Sequence, residues 1–219
     1  MKTKSQNQKN HAFTFIELIV ICAVLGMVAL VILPALAQDA QSAARSNRIN
    51  CSNNLRQLAL AYKVWAVDNN DRFPMAVSTR EGGTKEFVAG GNAFRHFQVM
   101  SNEINAPKIL ICPSDSRTAA RNFGDLQNKN ISYFVGLDGS DTYPAMLLSG
   151  DRNIENGVTP VHSVLELRPE KPANWTDALH VNEGNVGLCD GAVIQATTAK
   201  LQALVSKTGD TTNRIALPE

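Results

Sequence analysis

A histidine and an acidic turn near the C-terminus are the residues best suited to chemistry. Nine residues separate His180 from Asp190-Gly191, and imidazole with carboxylate serves in metal sites and in hydrolysis. Either use needs further groups, and the chain offers His96, His162, Asp138, Asp151, Glu183 and Cys189, without tight ligand spacing. We prefer the structural alternative, in which His180 bonds a loop backbone and Asp190 only makes the turn.

A second chemical feature is the carboxylate of Glu17, which lies at the edge of an apolar run that extends to residue 37. An ionisable group inside such a run is costly to bury, which predicts a function for Glu17 and a partner for its charge. In the alternative, Glu17 only reaches the polar edge of a plain membrane anchor.

The elements that position these groups begin with the apolar run. Residues 18–37 carry no charge, and twenty residues at about 1.5 Å each match the roughly 30 Å hydrocarbon core of a bilayer. The leader, residues 1–12, has lysines and no acid, which predicts a cytoplasmic N-terminus and an extracytoplasmic C-terminal domain. A signal peptide cleaved after the A-L-A of residues 35–37 is the alternative, but the run is long for one and Glu17 interrupts its start.

Composition and motifs exclude several classes of protein. The 219 residues include 21 basic and 20 acidic residues and are 44% hydrophobic, which fits neither a disordered tail nor a nucleic-acid-binding protein. The chain has no G-x-S-x-G, no phosphate-binding glycine loop and no H-E-x-x-H. We therefore do not expect an enzyme.

An apolar stripe at helical spacing follows the uncharged run, formed by Cys51, Leu55, Leu58, Tyr62 and Trp65. The stripe predicts one long helix over residues 13–68, which the polar run of residues 68–71 and the following Phe-Pro then end. Residues 13–37 form its membrane-spanning half in this prediction, and residues 38–68 its soluble half.

The pattern changes in residues 69–219 to short strands with turns between them. Apolar runs bounded by Pro, Gly, Asp and Asn predict strands at residues 108–112, 132–135 and 145–148. We expect an antiparallel sheet packed against the C-terminal half of the helix. Residues 185–194 form the clearest hairpin, in which Asp-Gly predicts a two-residue turn with positive φ at both positions.

The four cysteines fall into two groups. Cys22 lies in the apolar run and is expected to pack there, whereas Cys51, Cys112 and Cys189 lie in the exported domain, an oxidising place if the host is a Gram-negative bacterium. We prefer a disulfide between Cys51 and Cys112, because it would fasten the sheet to the helix. Three buried free thiols are the alternative, since the sequence does not determine connectivity.

The stretch AFTFIEL, residues 12–18, resembles the processing site of type IV prepilins and type II secretion pseudopilins. In that family a membrane-embedded aspartic peptidase cuts before the Phe and the new amine is methylated, which implies a cut between Ala12 and Phe13. The resemblance implies that Glu17 pairs with the amine of a neighbouring subunit and that Pro34 bends the helix. Ala12 replaces the family's usual Gly, so slower cleavage is expected.

The C-terminal part of the chain carries a second resemblance. The stretch from His180 to Asp190-Gly191, residues 180–191, resembles the H-x9-D-G signature of prepilin-type proteins found especially in planctomycetes, verrucomicrobia and their relatives. Three further stretches support that subgroup, namely residues 51–58, 112–115 and 150–153.

Together these resemblances imply an α+β, pilin-like fold, in which a long N-terminal helix spans the membrane with its first half and packs on an antiparallel β-sheet domain. They imply a structural subunit, pilin or pseudopilin, of a type IV pilus-like or type II secretion filament at the bacterial inner membrane. The implied partners are the prepilin peptidase/methyltransferase, identical or related pilin subunits, and the membrane itself. Some similar pseudopilins hold Ca²⁺ in a C-terminal loop, which makes Asp138, Asp151 and Asp190 a calcium hypothesis, although no EF-hand spacing is present.

Two alternatives come from other classes of protein. The first is a single-pass membrane-anchored binding domain that does not polymerise. The second is a secreted protein without the helix, possessing an activity based on His180 and Asp190.

Overall fold

We describe the protein from a computed structural model, which covers residues 15–219 apart from the side chains of residues 31–40. The leader and the predicted cleavage site, Ala12 and Phe13, lie outside the described residues. The side chain of Pro34, on which the expected bend depends, lies outside them too. The chain divides into two compact units, Met1–Ala44 and Arg45–Glu219, and each is described by itself.

Helix α1 runs over Phe15–Val67 and contributes residues to both units. In the second unit its apolar stripe is buried, as the spacing predicts, through Cys51, Leu55, Leu58, Tyr62 and Trp65. The helix ends where Asn70 and Asp71 adopt positive φ values of 58° and 55°, and the amide of Asp71 donates to the carbonyl of Ala66. Asn and Asp tolerate this left-handed conformation better than most residues, so the polar run ends the helix close to the predicted residue 68.

Among the residues that the structure describes, no helix combines the length and the apolar character needed to cross a membrane. The predicted membrane-spanning half and the predicted single-pass location in the inner membrane are therefore wrong for the described part of the chain.

The segment between α1 and the sheet is built from short helices. Helices α2 (Ala93–Gln98) and α3 (Ser101–Ile104) alternate with 3₁₀ turns at Pro74–Ala76, Thr79–Glu81, Lys85–Gly90, Pro107–Leu110 and Asn128–Asn130. The predicted strand at residues 108–112 is wrong, because Pro107 has the φ that begins a 3₁₀ turn and the chain becomes extended only at Ile111.

The antiparallel sheet of the prediction is confirmed, and so is the α+β class. The strands are β1 (Tyr133–Gly136), β2 (Leu147–Asp151), β3 (Ile154–Glu155), β4 (Val164–Glu166), β5 (Asn174–Trp175), β6 (Glu183–Leu188), β7 (Val193–Thr197) and β8 (Arg214–Ala216), with helix α4 at Thr198–Lys207. Six of them form one sheet in the order β4-β8-β1-β2-β6-β7, and β3 pairs with β5 separately. Each pairing is antiparallel.

The six-stranded sheet contributes to two separate apolar clusters. Tyr133 and Val135 of β1 pack in the same cluster as the buried stripe of α1, whereas Phe134 packs in the cluster that contains Leu201 and Val205 of α4. This division follows from the strand period of two, which sends alternate side chains to opposite faces.

A pilin-like packing of the long helix is not shown. The cluster around α1 also contains residues of the short helices and turns, among them Phe73, Met75, Phe97, Met100 and Leu110. The segment between α1 and β1, for which the sequence analysis predicted no helix, thus supplies much of the core beside α1.

The predicted hairpin joins β6 to β7, but its loop is longer than two residues. The amide of Leu188 donates to the carbonyl of Ala192 at 2.8 Å, and the amide of Gly191 donates back to Leu188 at 3.0 Å. Within residues 15–219, Gly191 has a positive φ of 92° and Asp190 is not among the residues with positive φ. The loop is therefore the three-residue kind, a turn closed by a left-handed glycine.

Candidate functional site

A disulfide lies at the centre of the most concentrated group of reactive side chains in the described structure. Cys51 of α1 and Cys112, which follows the Pro107–Leu110 turn, are bonded to each other, the pair that the sequence analysis preferred. Both residues are completely buried. The bond joins the long helix to a segment 61 residues further along the chain.

His180 lies against this disulfide. It occupies the connection between β5 and β6, and its Nε2 atom is 3.4 Å from the Sγ atom of Cys112. The same Nε2 atom is 3.4 Å from Oδ2 of Asp151, the last residue of β2. One ring nitrogen thus faces both a sulfur and a carboxylate, and both His180 and Asp151 are buried.

Asp151 is positioned by its neighbour in the sheet. Asn185 of β6 donates to Oδ2 of Asp151 twice, from its backbone amide at 2.7 Å and from its side-chain amide at 2.8 Å. Among the described residues, the other carboxylate oxygen, Oδ1, is buried without a hydrogen-bond partner. Burial raises the pKa of the Asp151 carboxyl to about 7, although the bonds from Asn185 act in the opposite direction.

Arg48 of α1 fixes the loop that carries His180. Its guanidinium donates to the backbone carbonyl of His180 at 3.0 Å and forms an ion pair with Glu183. Burial, and then the charge of Arg48, lower the pKa of the His180 imidazole to about 4. The ring is therefore neutral near pH 7, as a proton carrier or a metal ligand must be.

The second half of the predicted signature lies outside this cluster. Oδ1 of Asp190 accepts the backbone amide of Ala192 at 2.8 Å, which is the turn-making role of the structural alternative. Among the described residues, the group of side chains that could bind a metal consists of Cys51, Cys112 and His180. Asp190 does not belong to this group, so the structure does not present Asp190 and His180 as a hydrolase pair there.

The three aspartates of the calcium hypothesis have different partners. Asp138 is held by Arg214, whose backbone amide donates to it at 2.8 Å, Asp151 contacts His180, and Asp190 makes its turn. In the part of the chain that the structure describes, these carboxylates do not appear as one metal-capable group.

The other residues that the sequence analysis named as candidates for a metal or hydrolase site are also separate from the cluster. His96 is buried against the hydroxyl of Thr84, and His162 is exposed. Cys189 is a buried free thiol whose pKa is raised by burial to about 12, which makes it unreactive near neutral pH.

The N-terminal unit presents a different surface, the apolar side chains of α1 around Glu17. Phe15, Ile16 and Leu18 are 79%, 65% and 53% exposed, and Ile19 and Val20 are exposed as well. Consecutive helical residues lie about 100° apart around the axis, so these five side chains cover somewhat more than half of the circumference. The exposed Val24, Leu25 and Val28 of the following turns cover the remainder, so the apolar surface surrounds the helix and is not one face.

Sequence reasoning paired Cys51 with Cys112 and singled out His180, but it did not place His180 beside the disulfide. It also missed Arg48 and Asn185, since neither belongs to a motif with a known chemistry. The G-D-R-N stretch of residues 150–153 was the available signal, because it contains the aspartate that contacts His180.

Comparisons of the chain with protein-family models, with curated proteins and with solved structures found no match. The prepilin resemblance therefore depends on the residues of this chain alone.

Proposed function

We propose that this protein is a structural subunit of a filament of the type IV pilus or type II secretion kind, and that copies assemble through the N-terminal part of α1. The observation that carries the proposal is the exposure of apolar side chains all around residues 15–30 of that helix. Exposed apolar surface of this extent is characteristic of an interaction site.

The distribution of this surface favours several partners over one. A single groove would cover one face of an amphipathic helix, but a helix that is apolar all round is stable only when it is surrounded. Copies of the same helix provide such surroundings by packing their side chains against each other, as the helices of a filament core do.

Glu17 gives the assembly its register in this proposal. The resemblance at residues 12–18 implies a cut that creates a positive amine on Phe13, and a carboxylate four positions later pairs with the amine of a neighbouring copy. Pairing of opposite charges in an apolar core favours one alignment, because the amine and the carboxylate meet only when the two copies are shifted by one particular distance.

The test is co-expression of the full chain with a prepilin peptidase. We expect the mature chain to begin with methylated Phe13, as measured by mass spectrometry, and to sediment as filaments visible by electron microscopy. Glu17→Gln should keep the cleavage but lose most of the filaments, because the amide has no charge to pair with the amine.

A matched control is Glu170→Gln, which makes the same chemical change at an exposed position of the C-terminal unit. It should assemble like the natural chain. Filaments of normal yield from Glu17→Gln, a mature chain that starts at Met1, or one that starts at Gln38 would each contradict the proposal.

A further inference from the structure

The buried disulfide and His180 have the donor set of a metal site. The ligand atoms of Cys51, Cys112 and His180 all lie within 4.8 Å of one another, and all three residues are buried. In the disulfide the two sulfurs are joined to each other, but reduction would leave two thiols beside a neutral imidazole.

We propose that the reduced protein binds one Zn²⁺ ion through Cys51, Cys112 and His180, with Asp151, whose carboxylate contacts His180 but lies outside that group of three in the disulfide form, as the fourth ligand. The disulfide and the metal site are then two states of one cluster, exchanged by the redox conditions. This proposal is independent of filament assembly, since all four residues belong to the unit Arg45–Glu219.

The distances around Nε2 of His180 match those between ligands of one tetrahedral ion. With Zn–S of about 2.3 Å and Zn–N or Zn–O of about 2.0 Å, neighbouring ligand atoms lie about 3.3–3.6 Å apart at the tetrahedral angle. Nε2 is 3.4 Å from Sγ of Cys112 and 3.4 Å from Oδ2 of Asp151. After reduction the two sulfurs, which the disulfide holds at bonding distance, have to move apart to act as two separate ligands.

The surroundings of the cluster supply the second shell that such a site needs. The two hydrogen bonds from Asn185 orient the carboxylate of Asp151, and the bond from Arg48 fixes the backbone of His180. The Oδ1 atom of Asp151 is buried and has no hydrogen-bond partner among the described residues, which leaves this carboxylate with an unused acceptor beside His180.

The chemistry of the donors selects the metal. Two thiolates and an imidazole favour Zn²⁺, which accepts sulfur and nitrogen in tetrahedral geometry, over Ca²⁺ and Mg²⁺, which prefer six or more oxygens. The cluster therefore differs in kind from the calcium hypothesis that the sequence suggested.

The two steps balance with a dithiol as the reductant. Two thiol–disulfide exchanges transfer two electrons and two protons from the dithiol to the protein sulfurs, which leaves the dithiol as a cyclic disulfide. Binding of Zn²⁺ to the two thiols then forms two Zn–S bonds and releases two protons to the solvent.

The test uses the full chain with Cys22→Ser and Cys189→Ser, so that every thiol signal comes from the cluster. The protein is reduced, freed from reductant without oxygen, and titrated with Co²⁺, which reports tetrahedral thiolate coordination through visible bands and a sulfur-to-cobalt charge-transfer band. We expect one Co²⁺ per chain, displaced by Zn²⁺, and no such spectrum from the oxidised protein.

Ligand variants in the same background identify the site. Cys112→Ser should abolish the charge-transfer spectrum of paired thiolates, and His180→Gln and Asp151→Asn should each weaken Co²⁺ binding by at least about tenfold, since even second-shell changes cost that much. The control is His96→Gln, which removes a buried histidine outside the cluster and should bind Co²⁺ like the background protein.

If reduction partly unfolds the protein, circular dichroism measures whether metal binding restores the folded state. Recovery of the native spectrum on addition of Zn²⁺ would support the site, because binding is then coupled to folding. A reduced protein that shows no tetrahedral thiolate spectrum, an oxidised protein that binds equally well, or binding that survives Cys112→Ser would overturn the proposal.

Discussion

Buried polar side chains in this protein differ in how many of their polar atoms have a hydrogen-bond partner. Asp115 receives two bonds from the guanidinium of Arg152, at 2.8 Å and 3.0 Å, and its charge is therefore compensated. His96 is completely buried, and only its Nδ1 atom, 2.7 Å from the hydroxyl of Thr84, has a partner among the described residues. The fold thus holds His96 in its neutral form.

This state of His96 predicts a loss of stability in mild acid. Burial lowers the pKa of His96 from 6.5 to about 4, so between these values the unfolded chain binds the proton and the folded chain does not. The contribution of His96 to the free energy of unfolding is fully present above pH 6.5 and falls by about 3 kcal/mol as the pH approaches 4. Urea unfolding of the natural chain and of His96→Gln at about pH 7 and about pH 4.5 measures this difference.

The variant should lose less free energy of unfolding between the two pH values than the natural chain does. Changes at other titrating groups are common to both proteins and cancel in the comparison. His162→Gln serves as the control, because it makes the same chemical change at an exposed position. An identical pH dependence in the natural chain and in His96→Gln would show that His96 does not resist protonation.

At the scale of elements, two connections hold neighbouring segments together. The disulfide joins α1 to the segment around Cys112, and a three-residue loop joins β6 to β7. The Cys51–Cys112 bond closes a loop with a sequence separation of 61, which by chain entropy stabilises the folded state by roughly 4 kcal/mol. The hairpin depends instead on the geometry of one loop, in which Asp190 caps a backbone amide and Gly191 is left-handed.

From the hairpin geometry we predict that Asp190 stabilises the loop by accepting the amide of Ala192 and not by its charge. Asp190→Asn keeps an oxygen for the amide of Ala192 and should change the free energy of unfolding little, whereas Asp190→Ala should cost about 1 kcal/mol. Gly191→Ala should also cost roughly 1 kcal/mol, since an added Cβ meets nothing within 4 Å and the cost is conformational. Thermal and urea unfolding measure all three changes.

The contrary outcome has a clear meaning. If Asp190→Asn were as damaging as Asp190→Ala, the carboxylate charge itself would matter, and the role of Asp190 as a simple turn residue would be wrong. Gly209→Ala, at another glycine with positive φ and free space, provides a matched measure of the conformational cost alone.

At the scale of the whole molecule, the two units differ in what surrounds their apolar residues. The unit Arg45–Glu219 contains both apolar clusters and the disulfide, so its own chain buries its core. In the unit Met1–Ala44, the described apolar side chains of α1 are largely exposed.

This difference predicts that residues 45–219 fold alone and remain monomeric. Their unfolding should be cooperative and their disulfide should form, whereas the full chain should associate through the exposed helix. Analytical ultracentrifugation and urea unfolding of the two chains test this expectation. A chain of residues 60–219, which lacks Cys51, Leu55 and Leu58, should lose cooperative unfolding, and association of residues 45–219 to the same extent as the full chain would contradict the prediction.

Local patterns in the sequence predicted the features that depend on near neighbours. The stripe from Cys51 to Trp65 predicted a buried helix face, the polar run at residues 68–71 predicted its end, and Asp-Gly predicted the position of a hairpin. The type of the hairpin loop was wrong because two-residue and three-residue loops share the same Asp-Gly signal. The strand at residues 108–112 was wrong because the effect of Pro107 on the following backbone outweighed the apolar run.

The sequence by itself determined the long helix, the antiparallel character of the sheet and the residue types capable of chemistry, because periodicity and turn residues act over a few positions. Only the tertiary structure decided that Cys51, Cys112, Asp151 and His180 meet while Asp190 stays apart. These four residues come from α1, from a loop, from β2 and from the connection to β6. Contacts over such separations are decided by the packing of a whole core, whose many weak interactions have no signature in any short stretch of sequence.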